Sequence, residues 1–322
     1  MKIGVFSVLF ADKSLNEALN IIAEVGAEAI EIPTGGFAPK NHCDPASLLT
    51  NENRIRKFQQ KVEQKGLFIS ALGCSGNPLH PDKHFARQHI QDFRDTVLLA
   101  GKMGIERVIV FAGCPGDSDE AKVPNWITCP WPEYYTELLS WQWEKKIIPF
   151  WKEQAVFVRK HGVKKLCFEM HPGDAVYNPE KLLKLREAVG EIVGANLDPS
   201  HLFWQGINPI LTARELGEVI YHVHAKDVKI DSVTTSRIGV LDTKSYQDQL
   251  NRSWNFRTIG YGHGQEFWKE FISTLRLVGY DYVLSVEHED QQMSIMEGLS
   301  KAVEFLRDVS IAKDAEKPWF VK

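Results

Sequence analysis

The sequence predicts a (β/α)8 barrel, and three observations lead to this fold class. Short runs of β-type residues alternate with longer stretches of helical periodicity along the 322 residues. Eight such runs are present, the number that closes a parallel barrel. Several helical stretches end in glycine directly before the next strand, a common helix stop. The predicted strands cover residues 3–9, 28–33, 67–73, 107–113, 165–170, 193–198, 219–225 and 283–288.

The predicted helices lie between these strands. Helical patterns cover 14–26 after the first strand, 52–66 before the third and 86–104 before the fourth. A doubly wound open sheet is the alternative fold, but no G-x-G-x-x-G motif follows the first strand. No Pro- or Ser-rich linker and no low-complexity segment divides the chain. We therefore expect a single barrel domain over residues 1–322.

Two connections are too long for a loop and a helix. One runs from Cys114 to about Trp143, after strand 4, and is rich in Trp and Tyr; the other runs from Asp227 to Gly264, after strand 7. Both begin at the carboxyl ends of strands, where such barrels carry their active sites. The aromatic insertion is typical of a lid over a ligand and equally of a subunit contact. We expect a homo-oligomer, either a dimer or a tetramer.

Composition and charge restrict the partners and the location. The net charge is -4 without a long run of Lys or Arg, which argues against nucleic acid or an acidic membrane as a partner. No stretch approaches the ~18 apolar residues of a membrane span, and the N-terminus lacks the cleavage site of a signal peptide. The five cysteines are scattered without a C-x-x-C pair. We therefore expect a cytoplasmic protein with mostly structural thiols.

Polar side chains recur at the ends of four consecutive predicted strands. Because side chains alternate between the two faces of a strand, Glu169 shares a face with Cys167, and the apolar neighbours share the other face. The apolar set suits packing against the outer helices, so the polar set points into the barrel. The last inward residues, expected to converge at the mouth, are Glu169, Asp198, His224 and Glu287.

These four residues form a candidate metal site. Three neighbouring carboxylates repel one another strongly unless something neutralises their charge. With one histidine they make an oxygen-rich donor set that suits Mn²⁺, Mg²⁺, Co²⁺ or a catalytic Zn²⁺. The alternative is that Lys, Arg or backbone donors satisfy each residue separately. Corresponding positions on four strands favour one divalent ion, with Mn²⁺ as the first choice.

Four motifs in this order resemble the strand ends of a known superfamily. FEMHPG, NLDPSH, HVHAKD and SVEHED look like those of the xylose isomerase-like sugar isomerases and epimerases, which include tagatose 3-epimerase-type enzymes and inosose dehydratases. The resemblance spans nearly the whole chain, from MKIGVFS to the last strand. It implies that the four side chains are metal ligands. It also implies that His201 binds a substrate oxygen and that Glu169 and Glu287 act as base and acid.

Two positions depart from the epimerase pattern. An arginine that grips the substrate shortly after the histidine ligand is absent from KDVKID, and the nearest arginine is Arg237. A further glutamate, six residues after the first ligand, is replaced by Ala175. Both departures weaken the case for ketohexose epimerisation in particular.

The resemblance implies a divalent-metal-dependent isomerase or epimerase of a sugar or cyclitol. Such an enzyme removes a proton next to a carbonyl and passes through a metal-stabilised enediolate. If the enediolate instead expels a β-oxygen, the site is a lyase or dehydratase acting on a keto-cyclitol or 3-keto-glycoside. A DNA-repair endonuclease on the same barrel would need three zinc ions and further histidines, which EIPTGG and VFAGCPG do not offer. A non-catalytic sugar-binding protein is the remaining alternative.

Further residues near the predicted mouth are candidates for substrate binding. His80 follows the third strand and could act as an acid or base, or simply bond to loop backbone. Glu31 could bind hydroxyls or pair with Lys226. The turn GYGHG at 260–264 could hold an anion, but its only charged candidate is His263, which favours an unphosphorylated sugar. The full set of substrate-binding candidates is His201, His80, Glu31, Lys226, Asp227, Trp204 and Arg237.

Overall fold

Eight parallel strands close into a barrel in the computed structural model, which describes residues 1–311, 313, 316 and 320. Two further strands pair with each other in a small antiparallel sheet outside the barrel. In chain order the strands are β1 Lys2–Phe6, β2 Ala29–Pro33, β3 Phe68–Gly73, β4 Arg107–Val110, β5 Lys165–Glu169, β6 Val193–Leu197, β7 Ile220–Ala225, β8 Asp227–Ile230, β9 Trp254–Arg257 and β10 Val283–Val286. The barrel order is β1-β10-β7-β6-β5-β4-β3-β2, so the predicted fold class is confirmed.

Helices connect the barrel strands along the chain. Within the described residues they are α1 Leu15–Glu24, α2 Pro45–Leu49, α3 Glu52–Glu63, α4 Lys83–Met103, α5 Tyr134–Trp141, α6 Ile148–Lys160, α7 Pro179–Val189, α8 Pro199–Phe203, α9 Pro209–Leu216, α10 Ser232–Ile238, α11 Gln265–Leu277 and α12 Ile295–Val309. A π-helical turn, Gln142–Ile147, joins α5 to α6, and short 3-10 turns cover Ser7–Phe10 and Gly217–Val219.

The first strand shows why an apolar run in the sequence can continue beyond the end of the strand that it predicts. The apolar run predicted a strand to residue 9, yet β1 ends at Phe6 and a 3-10 turn follows. Leu9 and Phe10 in that turn are still buried in the core, so burial continues where the strand does not. Helix α1 begins where its cap predicts, because Ser14 and Glu17 bond reciprocally in a capping box.

Strand register brings the predicted site residues level with one another. Leu197 on β6 pairs with Val223 on β7, so the next residues, Asp198 and His224, are neighbours. The pairs β5 to β6 and β7 to β10 run parallel in the same way. The acidic residues at the carboxyl ends of β5 and β10 therefore complete an arc on one rim of the barrel.

The apolar core lies mainly between the barrel and its helices, and part of the barrel interior is polar. The Trp151 ring on α6 packs edge-on against Phe168 on β5, with ring centres 4.7 Å apart. Inside the barrel, by contrast, Glu31, His222 and Ser285 are fully buried. Such polar groups are stable without water only when they bond to one another. The network they form underlies the candidate site.

Both long connections carry extra structure at the predicted places. The connection after β4 contains an irregular segment, 111–133, followed by α5 and the π-helical turn. The connection after β7 contains the β8–β9 hairpin and α10. In the first connection Trp143 is buried, while Trp131 and Tyr134 are largely exposed.

Two global expectations can be compared with the structure. Among the described helices, none has both the length and the apolar character that crossing a bilayer requires. All five cysteines are free; four are buried and Cys129 is exposed. Burial raises the pKa of Cys43 and of the other three buried thiols, which suits structural rather than reactive thiols.

Candidate metal centre

Four side chains from four neighbouring barrel strands meet at the carboxyl end of the barrel. Each of Glu169, Asp198, His224 and Glu287 offers one ligand atom, and these atoms all lie within 4.8 Å of one another. His224 Nδ1 lies 3.2 Å from Glu169 Oε2 and 3.1 Å from Glu287 Oε2. The side chain of Glu287 is the most accessible of the four at 12% exposure. The cluster is therefore buried, with its opening on the Glu287 side.

The local structure directs one carboxylate oxygen of Asp198 at the centre. Asp198 caps α8 by accepting from the Ser200 amide through Oδ1, at 2.8 Å, so its Oδ2 is left for the site. Asp198 Oδ2, His224 Nδ1 and Glu287 Oε2 are buried, and each lies within 3.3 Å of a charged group of the same site. Three carboxylates and one imidazole grouped in this way could hold a divalent cation.

A buried lysine stands at the edge of this cluster. Lys226 Nζ lies 3.3 Å from Asp198 Oδ2, 3.0 Å from Glu287 Oε2 and 3.1 Å from Glu289 Oε2. Its side chain is only 2% exposed. Glu289, by contrast, is half exposed, so Lys226 links the buried centre to solvent. Its ammonium neutralises part of the negative charge and can donate protons to an oxygen bound there.

Behind the cluster, Glu31 holds the far side of the histidine ring. His224 Nε2 lies 3.1 and 3.0 Å from the two Glu31 oxygens, and Ser285 Oγ donates to Glu31 at 2.8 Å. A carboxylate bonded to the outer nitrogen of a ligand histidine orients the ring and increases its basicity. Glu31 is fully buried, so the structure places it beneath the site rather than against a substrate. It pairs with His224 and not, as one interpretation had it, with Lys226.

A second chain of polar contacts supports Glu169. Asn196 Nδ2 donates to Glu169 Oε2 at 3.1 Å, and Asn196 Oδ1 lies 3.0 Å from His222 Nδ1. Asn196 and His222 are the inward residues that precede Asp198 and His224 on β6 and β7. Strand alternation thus places one polar layer directly below another.

Burial and charge shift the pKa values of this cluster in opposite directions. Burial raises the pKa of Asp198 to about 7. Burial also acts against ionisation of Glu287, but Lys226 and His224 hold its pKa at about 2. For His224, the charges of Glu31, Glu169 and Glu287 outweigh burial and raise the pKa well above its ordinary value. Because a histidine must be neutral to bind a metal, a cation at the centre would replace this proton.

His201 is buried beside the cluster, next to Glu169 and Asp198. Its Nε2 is 3.3 Å from Glu169 Oε1 and 3.4 Å from Asp198 Oδ2. Burial, followed by the influence of His171 and Lys226, lowers the pKa of His201 to about 3. A neutral imidazole at this place can donate to or accept from a substrate oxygen.

An aromatic cavity adjoins His201. It measures about 380 Å³ and is bounded by His171 and His201 on one side and by Trp204 on another. Trp204 stacks face to face on Trp254, with ring centres 4.7 Å apart. Trp204 thus lines this cavity, and its contact with a substrate stays a prediction.

Three other predicted substrate contacts lie elsewhere. Asp227 is fully buried and accepts from the amides of Gly260, Gly262 and His263 at 3.1, 3.2 and 2.8 Å. The glycine-rich turn thus does bind an anion, but that anion is a carboxylate of the same chain. Arg237 is exposed on α10, in the second insertion. His80 packs against Phe85, with ring centres 4.5 Å apart, and its Nδ1 accepts from the backbone of the same loop.

Several residues around the site were not singled out from the sequence. Glu289 follows the end of the last strand, where alternation no longer applies. Trp254 and Phe256 belong to the short strand β9 inside an insertion, and Trp126 comes from the irregular segment after β4. The alternation of Trp254 and Phe256 was a usable signal for a strand. The contacts that bring this strand to the site join residues far apart in the sequence, which the pattern does not reveal.

One buried acid near the mouth has no partner for one of its oxygens. Asp174 is 8% exposed, and its Oδ1 has no hydrogen-bond partner in the part of the chain that the structure describes. Burial raises the pKa of Asp174 to about 7. This group therefore opposes folding whenever it is ionised.

Comparisons with known proteins point to one family. A family model described as a xylose isomerase-like TIM barrel matches residues 19–309. The uncharacterized protein YfiH of Bacillus subtilis strain 168 is 40% identical over 309 residues, which cover 95% of this chain and 98% of YfiH.

Solved structures show the same fold at lower identity. A D-tagatose 3-epimerase-like protein superposes with a TM-score of 0.63 at 21% identity, covering 96% of this chain and 98% of the other. The IolI protein, solved with a zinc atom, superposes with a TM-score of 0.65 at 18% identity, covering 96% and 98%. At such identities the likeness establishes the fold alone.

Replacing Asp198, the carboxylate that directly follows β6, tests the cluster as a metal site. We expect Asp198→Asn to keep the cap on α8 but to weaken Mn²⁺ binding by more than about 100-fold, beyond the loss typical of an outer partner. Elemental analysis and calorimetric titration of the full chain measure this. Glu289→Gln is the matched control, since Glu289 contacts Lys226 but is not one of the four residues. Full metal content in Asp198→Asn would exclude Asp198 as a ligand.

Removing the charge behind the histidine tests its orienting role. Glu31→Gln keeps the volume of the side chain but loses the carboxylate that faces His224 Nε2. We expect Mn²⁺ affinity to fall about 10–100-fold, measured by competition with a fluorescent chelator. Ser285→Ala leaves that carboxylate in place, so it should cost less. If the two variants lost the same affinity, the effect would come from the disturbed interior and not from His224.

The pKa of Asp174 predicts a pH dependence of stability. The folded-state pKa of about 7 lies above the ordinary value of 3.8, so the acid stabilises the fold fully only below about pH 4, and this contribution is lost as the pH rises through 7. Asp174→Asn should therefore raise the free energy of unfolding, and by about 1.4 kcal/mol more at pH 8 than at pH 6. Chemical denaturation at both pH values measures the gain. An equal gain at both would contradict the raised pKa.

Proposed function

Because the chain belongs to the xylose isomerase-like TIM-barrel family, we propose that it is a divalent-metal-dependent isomerase or epimerase of a sugar or cyclitol. One observation carries this proposal: Glu169, Asp198, His224 and Glu287 present ligand atoms within 4.8 Å of one another at the barrel mouth. A small carbohydrate is the proposed substrate.

The donor set supports one divalent ion, with Mn²⁺ as the first candidate. Carboxylate oxygens and one imidazole suit Mn²⁺, and they also accept Mg²⁺, Co²⁺ or Zn²⁺. When bound, such an ion polarises a carbonyl group and stabilises the negative charge that develops on its oxygen. Zn²⁺ stays in the set to be tested, because the IolI structure contains zinc.

Two carboxylates are the proposed proton carriers at the carbon next to the carbonyl. Glu169 ends β5 and Glu287 directly follows β10, and the two face His224 Nδ1 at 3.2 and 3.1 Å. They therefore approach a common centre from different strands, as a base and an acid acting on one carbon from two sides would. His201, neutral and next to both Glu169 and Asp198, would hold a substrate oxygen.

A lyase is the second candidate, and Lys226 is the observation that favours it. Epimerisation at one carbon requires only the two carboxylates, one to remove the proton and one to return it from the other side. Elimination also requires a proton donor for the departing oxygen, and the Lys226 ammonium lies 3.0 Å from Glu287. Release of water or an alcohol from a keto-cyclitol or 3-keto-glycoside would distinguish this reaction from isomerisation, in which nothing leaves.

An unphosphorylated substrate agrees with the glycine-rich turn. The amides at Gly260, Gly262 and His263 already donate to Asp227, so this turn has no obvious donors left for a phosphate. A cytoplasmic location and assembly as a dimer or tetramer stay predictions. The role of the aromatic insertion likewise stays open between lid and subunit contact.

Replacing each proposed proton carrier by its amide tests the reaction. We expect Glu169→Gln and Glu287→Gln, saturated with Mn²⁺, to exchange the substrate C–H proton about 10²–10⁴-fold more slowly, the usual effect of losing a general base. The double variant should be little worse than either single one, because the pair acts as a unit. NMR in deuterated water measures the exchange on a panel of keto sugars, inososes and 3-keto-glycosides.

Glu289→Gln is the matched control in this experiment, because it makes the same change at a nearby glutamate that is not a proposed proton carrier. Its exchange rate should stay within a few fold of the wild type. Wild-type exchange in metal-saturated Glu169→Gln would leave Glu169 as a ligand at most. The base would then have to be another group.

A further inference from the structure

A further cavity lies at the amino end of the barrel, away from the metal centre. It measures about 780 Å³, a volume typical of small-molecule sites. The turn between α6 and β5 bounds it, together with residues at the amino ends of β5, β6 and β7. The candidate metal ligands stand at the opposite, carboxyl ends of these strands and of β10. A molecule in this cavity would therefore not reach the reacting group.

The lining of this cavity is positively charged. It holds three cations and one acid, which are Arg159, Lys164, Lys165 and Glu191. Lys164 pairs with Glu106, but the Glu106 carboxylate also lies 3.9 Å from Arg107 Nη1, so one acid serves two cations. The lining therefore keeps an excess of two positive charges, although the whole chain has a net charge of -4.

Lys165 is the cation of this lining that lacks a counter-ion. Its ammonium lies over the Tyr221 ring, 4.9 Å from the ring centre, and no described acid forms an ion pair with it. Its Cα is in register with that of Arg107 on β4, so two like charges stand side by side on adjacent strands. Burial, followed by the charge of Arg107, lowers the pKa of Lys165. Like charges placed in this way repel each other, and an anion beside Lys165 would relieve the repulsion.

Helix geometry explains one of these cations but not Lys165. Arg159 lies in the last turn of α6, where a positive charge interacts favourably with the helix dipole. Lys165 begins a strand, so this reason does not apply to it. Gly162, in the turn between them, has a φ of +82°, and a β-carbon there would meet no atom from outside the turn within 4 Å. The turn therefore leaves open space beside the two cations.

From this charge and volume, we infer that the cavity binds a phosphate group, at the end of the barrel opposite the metal centre. A phosphate monoester carries close to two negative charges at neutral pH, which matches the excess of the lining, and Lys and Arg are usual partners of phosphate. A free phosphate ion would fill only a small part of the cavity, which favours an ester. Val163 and Ile192 offer apolar surface to its organic part. This ligand is distinct from the unphosphorylated substrate of the proposed function.

Three titrations separate a phosphate ester from its two parts. Full chain without added metal is titrated by calorimetry with glucose 6-phosphate, inorganic phosphate and glucose, all at one ionic strength. Without a divalent ion, phosphate has no metal to coordinate at the barrel mouth. We expect glucose 6-phosphate to bind with a Kd below about 1 mM, and inorganic phosphate about tenfold more weakly. Equal affinities would support the site and identify free phosphate as its ligand. Binding of neither, or equal binding of glucose, overturns the inference.

Removing the ammonium of Lys165 connects the binding to this cavity. Lys165→Met keeps an unbranched side chain beside Tyr221, and glucose 6-phosphate should bind about 10–100-fold more weakly, the usual cost of losing a bond to a charged group. Lys160→Met is the matched control, because it makes the same change at an exposed lysine of α6 that does not line the cavity. Its affinity should stay within a few fold of the wild type. An equal loss in both variants would indicate unspecific attraction and overturn the inference.

Glu191→Gln tests the same site at an exposed side chain. It removes the acid of the lining, while the Glu191 backbone oxygen still accepts from Arg186 at 2.8 Å, so the variant should fold, as circular dichroism can verify. Affinity for glucose 6-phosphate should rise a few fold, because one repulsive charge is gone. Wild-type affinity in Lys165→Met, or no gain in Glu191→Gln, overturns the inference. C–H exchange at the metal centre is measured separately, so the proposed function can stand or fail independently of this site.

Discussion

Concentrated negative charge in a buried barrel interior is the constraint on which the rest of this structure depends. Glu31, Glu169, Asp198 and Glu287 lie within or at the mouth of one β-barrel, and none is more than 12% exposed. Carboxylates in such a place are stable only with cations or strong donors beside them. Here His224 and Lys226 supply the positive charge, and Asn196 and Ser285 supply neutral donors. A divalent ion would neutralise the same carboxylates with more charge in less volume.

The polar network also explains how a rigid scaffold positions a reactive group. A parallel barrel holds each strand from both sides, so residues at strand ends have little freedom to shift. The His224 ring is held by Glu31 on one face of the site and meets Glu169 and Glu287 on the other. A histidine held this way keeps its orientation, which is one condition for binding a metal ion in a fixed geometry. Loops alone would position these groups less accurately.

Much of the barrel and of its centre follows from local sequence patterns, whereas the surroundings of the centre do not. Alternation within β5 and β7 was enough to place Glu169 and His224, since a strand leaves only two directions for a side chain. The same reasoning did not predict the contacts of Asp227, because its partners are amides of a turn more than thirty residues away in the chain. Trp204 and Trp254 meet only after an insertion folds back. Contacts of this kind depend on tertiary structure, which short sequence windows do not encode.

The pairing of Asp227 with the turn at 260–263 has a consequence for how this protein can diversify. Asp227 stands at the start of the second insertion, and the amides that bind it stand near the end. Hydrogen bonds therefore join the two ends of the insertion at its base. Changes in length within the more exposed part of the insertion, residues 231–251, would therefore leave the bonded base and β7 in place. In evolutionary terms, this outer part of the insertion is a region where relatives can diverge while they inherit the same four-residue cluster.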